Sequence, residues 1–232
     1  MLLFRSPKLT VATAVLLLAI PAFAAPPADP LDAVMTRMDQ AAASFKGLTA
    51  DIRKTTHTDV LNVDDAQSGT ITVKRAKPGD TRIRIDFTEP AKQSVAIGGG
   101  KAVSYTPSNN EAQEVDLGKK RGLVDQFMLL GFGSNAADLK SAYTVTLGGP
   151  DKVNGEAATR LLLIPKDKDV LAQVKQCELW ISEKGITLQQ KFHTGGKDYV
   201  VSTYSRMNLN PAIADKDVKL DLPKGVKINV LK

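Results

Sequence analysis

Residues 69–90 constrain the fold of this chain more than any other stretch. They alternate apolar and polar side chains on either side of Pro78-Gly79-Asp80, the pattern of two half-buried strands joined by a turn. Period two puts Ile71, Val73 and Arg75 on one face of the first strand. In the second strand Ile83, Ile85 and Phe87 share a face, and Arg82, Arg84 and Asp86 share the other. A guanidinium sent to the same side as aliphatic residues needs acceptors for its donors. The hairpin therefore requires an apolar sheet face and something on that face to receive Arg75.

The rest of the chain extends the pattern. Asp29-Pro30 reads as an N-cap followed by proline at the first helical position. Leu31, Val34, Met35, Met38, Ala42 and Phe45 recur at helical spacing through Lys46, and Gly47 is the expected stop. Strands are expected over 48–58, then, after a turn at 62–65 and the hairpin, over 93–97 and 101–106 about Gly98-Gly99-Gly100. Another follows over 111–117. Further strands are expected over 142–147, 157–164, 176–182, 186–193 and 198–207, with a helical turn at 170–174. The last two, over 218–222 and 226–230, would close the sheet. About ten to twelve strands in a near-continuous antiparallel meander curl into a barrel or half-barrel, making the chain mainly β with some helix.

One segment breaks the rhythm. Over residues 121–132, Leu123, Val124, Phe127, Met128 and Leu130 fall at helical spacing, punctuated by Gly122, Gly131 and Gly133. A short apolar helix bounded by glycines is either a core plug or a movable cover. One more helical turn fits residues 135–140.

The first residues have the form of an export signal. Arg5 and Lys8 give a basic start, residues 9–20 an apolar run and Ala22-Phe23-Ala24 a small-x-small cleavage site. Cleavage is expected after Ala24, leaving residues 25–232 as a single domain in the periplasm, not lipidated itself, since the only cysteine is Cys177. A lone cysteine excludes an internal disulfide. Cys177 alternates with Leu179 and Ile181, which reads as a small buried hydrophobe. Trp180 alternates to the face opposite Leu179 and Ile181, with either face open to being the inner one.

Several classes of function are excluded. The mature chain would carry 29 basic and 25 acidic residues, net +4, with no arginine-rich stripe interleaved with aromatics, which excludes nucleic-acid binding. His57 and His193 have no Cys, His or paired carboxylate at ligand spacing, so no metal or cofactor is expected. Neither a Gly-x-Ser-x-Gly elbow nor a Ser-x-x-Lys is present, and no constellation of nucleophile, base and orienter emerges. The chain does not read as an enzyme. A curled sheet lined with aliphatics is a hydrophobic ligand site where the protein's own side chains do not fill it.

An ordered set of short motifs resembles the LolA-like periplasmic lipoprotein carriers. Phe45-Lys-Gly-Leu-Thr-Ala-Asp51 is similar to their first helix end and first strand, and Gly69-Thr-Ile-Thr-Val-Lys-Arg75 with Arg84-Ile-Asp-Phe87 to their second and third. Gly99-Gly-Lys101 through Tyr105-Thr-Pro107 matches the glycine turn and following strand, and Leu222-Pro-Lys-Gly-Val226 the closing strand. The resemblance implies an open, strongly curved antiparallel half-barrel covered by the N-terminal helix and a mid-chain lid helix. It implies a monomer that takes acylated lipoprotein from an inner-membrane lipoprotein-releasing transporter to an outer-membrane acceptor. Another lipid or glycolipid cargo, or a non-transport periplasmic sensor of the same fold, are the alternatives. Arg75 matches the arginine that latches the lid. The cavity and lid would be made by Ile71, Val73, Ile83, Ile85, Phe87, Val95, Ile97, Val103, Tyr105, Leu123, Phe127, Met128 and Leu130.

Overall fold

The computed structural model describes residues 30–77, 80–117 and 130–231. The expected export signal and cleavage site, residues 78–79 of the expected turn and most of the expected mid-chain helix, with Leu123, Phe127 and Met128, lie outside the described residues. Within them is one twelve-stranded sheet, ordered β12-β6-β5-β4-β3-β2-β1-β11-β10-β9-β8-β7. Its strands are β1 (Gly47–Thr58), β2 (Val63–Lys77), β3 (Asp80–Glu89), β4 (Gln93–Gly98), β5 (Lys101–Thr106), β6 (Glu111–Asp116), β7 (Tyr143–Val153), β8 (Glu156–Pro165), β9 (Gln176–Ser182), β10 (Thr187–Gly195), β11 (Asp198–Leu209) and β12 (Lys227–Leu231). Three helices accompany them: α1 (Pro30–Ser44), α2 (Ala136–Ala142) and α3 (Lys168–Gln173). The fold is mainly β, a curved and unclosed half-barrel.

The C-terminus departs from the expectation. Residues 218–222 form no strand; a 3₁₀ turn at Asp215–Val218 stands before them. The chain crosses the sheet there, so β12 returns parallel to β6, pairing Lys227 with Glu111. It extends an edge rather than closing the sheet. Two other boundaries move. β7 runs on through the expected stop at 148–150 with a register shift between Leu147 and Gly149. The expected turn at 62–65 is already β2 from Val63, because a 3₁₀ turn at Asp59–Leu61 makes the reversal and Asn62, in a left-handed conformation (φ 49°), completes it.

The helix α1 ends at Ser44, two residues short of Lys46, for a non-local reason. Asn210 Oδ1 accepts from the amides of Lys46 (2.7 Å) and Gly47 (3.4 Å), drawing the chain straight into β1. The apolar stripe of α1, Val34, Met35 and Met38, packs on Leu161, Leu163, Cys177, Leu179 and Ile181 from β8 and β9. Each such side chain contributes about 1.5–3 kcal/mol on burial. Cys177 is fully buried within this cluster, and burial pushes its thiol up to about 12. It is a core residue.

A second cluster covers β1 to β4: Leu48, Ala50, Ile52, Ile71, Val73, Ile83, Ile85, Phe87 and Ile97. Of the N-terminal region only Phe45, just past α1, joins it. Ile83, Ile85 and Phe87 thus face the concave side without lying under the body of α1.

Trp180 points the other way, into Val153, Ala158 and Leu188, so both faces of β9 are covered. Its indole N–H donates to Asp151 Oδ2 at 2.8 Å. That bond, then the Lys152 amide, holds the Asp151 carboxyl below its ordinary range. A carboxyl depressed by folding stabilises above its unfolded pKa and loses that contribution as pH falls through the folded value. Trp180→Phe should therefore cost stability at pH 7, and part of that cost should vanish below about pH 4. Urea denaturation at pH 7 and pH 3 checks this; an identical cost at both would uncouple Asp151 from Trp180.

Candidate functional site

Arg75 sits at the end of β2, where the ladder with β3 is interrupted between Arg75 and Lys77. Its backbone amide donates to the Lys46 carbonyl at 2.8 Å, fixing it beside the end of α1. The guanidinium then does three things. Nη1 donates to the carbonyls of Ala42 (3.2 Å) and Phe45 (3.4 Å), at the C-terminal end of α1 where acceptors lack helical partners. Nη2 donates to the Gly133 carbonyl at 2.6 Å, just past the mid-chain segment. Its Cζ lies 5.2 Å from the centre of the Phe45 ring. The arginine ties β2, α1 and the mid-chain segment together.

Residues 130–136 form a strap pinned along its length. Gln190 Nε2 donates to the Leu130 carbonyl, and Thr187 Oγ1 donates to the Gly131 carbonyl at 2.9 Å. The Gln190 amide is itself held by Tyr204, whose hydroxyl donates to Gln190 Oε1 at 3.2 Å. Burial pushes the Tyr204 phenol well above its ordinary range, so it stays a donor. Phe132 meets the Tyr204 ring edge-on at 4.8 Å between centroids and enters the cluster on β1 to β4. The Ala136 amide donates to Asp39 Oδ1 at 2.6 Å, starting α2. The strap is thus anchored by backbone carbonyls to side chains, and one large apolar group fills the concavity between the anchors.

The register assigns each expected cavity residue on β2 to β5 to a face. Ile71 pairs with Ile85 and Val73 with Ile83; Val95 and Ile97 follow on β4, and Ala102 on β5. Val95 and Ala102 are only half-buried. Val103 and Tyr105 are not on this face. Val103 pairs with Ala96, which pairs with Arg84, and Tyr105 pairs with Ser94, which pairs with Asp86, so both point to the convex side. Leu130 is buried, but in the cluster under α1 rather than beside Phe87. At the far end of the concave face the lining turns polar. Lys54 Nζ donates to Gln67 Oε1 (3.4 Å) and Gln67 Nε2 to Gln93 Oε1 (3.3 Å), with the ammonium 6.0 Å from the Phe87 ring centre.

Thr187, Gln190, Tyr204 and Asp39 had no signal in the sequence that marked them; Gly133 was marked only as a glycine bounding the mid-chain segment. Strict alternation would place Thr187 with Gln189. A register shift between those two residues instead brings Gln190 opposite Leu179, onto the concave face. The histidines lie away from the site: His57 stacks on Tyr199 and lies 2.8 Å from Asp64, and His193 lies 2.7 Å from Glu178. Among the described residues, no group of three or more His, Cys, Asp or Glu could hold a metal.

Fold and site define an open half-barrel whose apolar concavity is crossed by a latched strap. No protein-family model matches the chain, and no curated protein sequence matches it. Among solved structures, an uncharacterized conserved protein from Thermus thermophilus is similar over 88% of this chain and 100% of its own, at 12% identity and TM-score 0.53. MucB is similar over 82% of this chain at 15% identity and TM-score 0.51; the chain spans 63% of MucB, less than two thirds of it. A LolA superfamily protein from Nitrosomonas europaea is similar over 82% of this chain and 97% of its own, at 14% identity and TM-score 0.40. Likeness at such identities concerns the fold alone.

Proposed function

We propose that this protein is a periplasmic carrier that holds acyl chains of lipoproteins on its concave face and passes them from the inner to the outer membrane. The observation that carries the reading is the strap. An apolar plug, Phe132, occupies an aliphatic concavity and is kept there by hydrogen bonds from Arg75, Thr187 and Gln190 rather than by continuous secondary structure. Exchanging that plug for an acyl chain requires those bonds to break and Phe132 to leave the cluster. Each CH₂ buried would gain about 0.8 kcal/mol, enough for a long chain to be held at micromolar affinity or better. The returning strap competes with cargo, which keeps release possible. An inner-membrane releasing transporter and an outer-membrane acceptor are the partners this function requires.

The test is direct. Lipids extracted from the gently purified protein are identified by mass spectrometry, and the stripped protein is offered an acylated lipoprotein. A bound lipid and a stable complex are expected; finding neither sinks the carrier. The face itself is checked by Val95→Asp, which places a charge among half-buried aliphatics. Affinity for a fluorescent fatty acid should fall at least about tenfold. A folded variant with unchanged affinity would show that ligand does not meet this face.

A second reading, an interaction protein rather than a carrier, is favoured by the tip of the β1–β2 hairpin. Val60 is 91% and Leu61 70% exposed there. Complex formation that persists with a non-acylated lipoprotein would support it over the carrier.

A further inference from the structure

A second hollow lies on the convex side of the sheet, independent of the strap and of the function proposed above. It exists because the C-terminal chain crosses that face before it reaches β12. Asp215 holds the crossing in place, 2.7 Å from Lys74 Nζ and 3.6 Å from Arg82 Nη1. Both cations hold the Asp215 carboxyl below its ordinary range, the Lys74 bond contributing most. Further along, Arg84 Nη1 donates to the Lys219 carbonyl at 3.0 Å. Between crossing and strands lies a cavity of about 480 Å³.

Its shape follows from residue size. On β4 the convex positions are Ala96 and Gly98, which leave the floor low, while Leu220 and Leu222 come from the crossing chain and Ile228 from β12. Leu220, Leu222 and Val103 are half-buried and Ile228 is 52% exposed, so these apolar groups face space rather than one another's surfaces. A filled core would leave them covered. Three cations, Arg82, Lys101 and Lys219, line the same space; Arg82 also meets Asp80 at 3.2 Å and Asp215 at 3.6 Å, and Lys101 meets the one carboxylate of the lining, Glu114, at 2.5 Å. The volume lies within the range of small-molecule sites, and the lining is apolar with a few charged groups of one predominant sign.

We infer that this convex hollow binds a single-chain amphiphilic anion. The tail lies between Val103, Leu220 and Leu222, and the carboxylate or phosphate head sits at Lys101 and Lys219. This also gives Val103, absent from the concave face, a ligand to meet.

Dodecanoate, dodecyl phosphate, dodecanol and inorganic phosphate are titrated separately into the lipid-stripped protein, with stoichiometry read by native mass spectrometry and affinity by calorimetry. Dodecanoate and dodecyl phosphate should bind, dodecanol at least about tenfold more weakly for want of a charge, and inorganic phosphate not measurably. Ala96→Phe fills the floor and should remove one bound dodecanoate per protein, whereas Val95→Asp on the concave face should leave that one in place. Lys219→Glu, at an exposed position that leaves folding intact, should weaken binding about tenfold. Dodecanol binding as tightly as dodecanoate, or Lys219→Glu binding as wild type, overturns the assignment of the head. A folded Ala96→Phe with unchanged stoichiometry overturns the site.

Discussion

Replacing Arg75 with leucine should lower unfolding stability by about 3 kcal/mol, because hydrogen bonds from a charged donor contribute about 1.5–3 kcal/mol each and water recovers part of the loss at a half-buried site. The leucine would fit the neighbouring Val73 and Phe45 but would leave the carbonyls of Ala42, Phe45 and Gly133 without their donor. The more telling readout is local. Amide exchange at residues 130–136 should accelerate beyond what the global loss accounts for, since the strap's anchors near Gly133 and α1 go together. Affinity for an acyl probe should rise, the strap having become the weaker competitor. Unchanged exchange over 130–136 would remove Arg75 from the latch.

The larger effect is expected at Gly133. Its φ is +69°, and a Cβ built there would collide with Arg75 Nη2 and stand 2.7 Å from Phe45 Cδ1. Gly133→Ala therefore carries a left-handed backbone penalty of about 1–2 kcal/mol and evicts the guanidinium as well, a total of about 4 kcal/mol. Because both substitutions break the same contact, the double variant Arg75→Leu with Gly133→Ala should cost at least about 1 kcal/mol less than the two single costs combined. Additive costs would show that the glycine serves the backbone alone. Urea denaturation of the four proteins in the cycle measures this directly.

Elements defined by short-range periodicity appear where alternation and helical spacing put them: α1, the β2–β3 hairpin and the β4–β5 hairpin. Arg75 was legible as an arginine with apolar neighbours on its face, and the structure supplies its acceptors. Two of the three acceptors, Ala42 and Phe45, come from α1 and its end rather than from the mid-chain segment. What failed to read from the sequence failed for identifiable reasons. Alternation within β4 and within β5 leaves open which parity of β5 continues the face of Ile97; the turn at 98–100 sets the register so that Ala102, not Val103, pairs with Ile97. Gln190 was hidden by a register shift.

By itself the sequence determined that this chain makes a curved sheet with an apolar face, that an amphipathic helix precedes it, and that a guanidinium on that face must find oxygen acceptors. Those are consequences of side-chain period and of the cost of an unpaired charge, both local properties. Only the tertiary structure decided that β12 runs parallel to β6, that Thr187, Gln190 and Arg75 converge on one strap, and that a second hollow opens on the convex side. Each of those depends on which distant segments meet, and contacts between residues 58 and 60 positions apart leave no periodic trace in either segment.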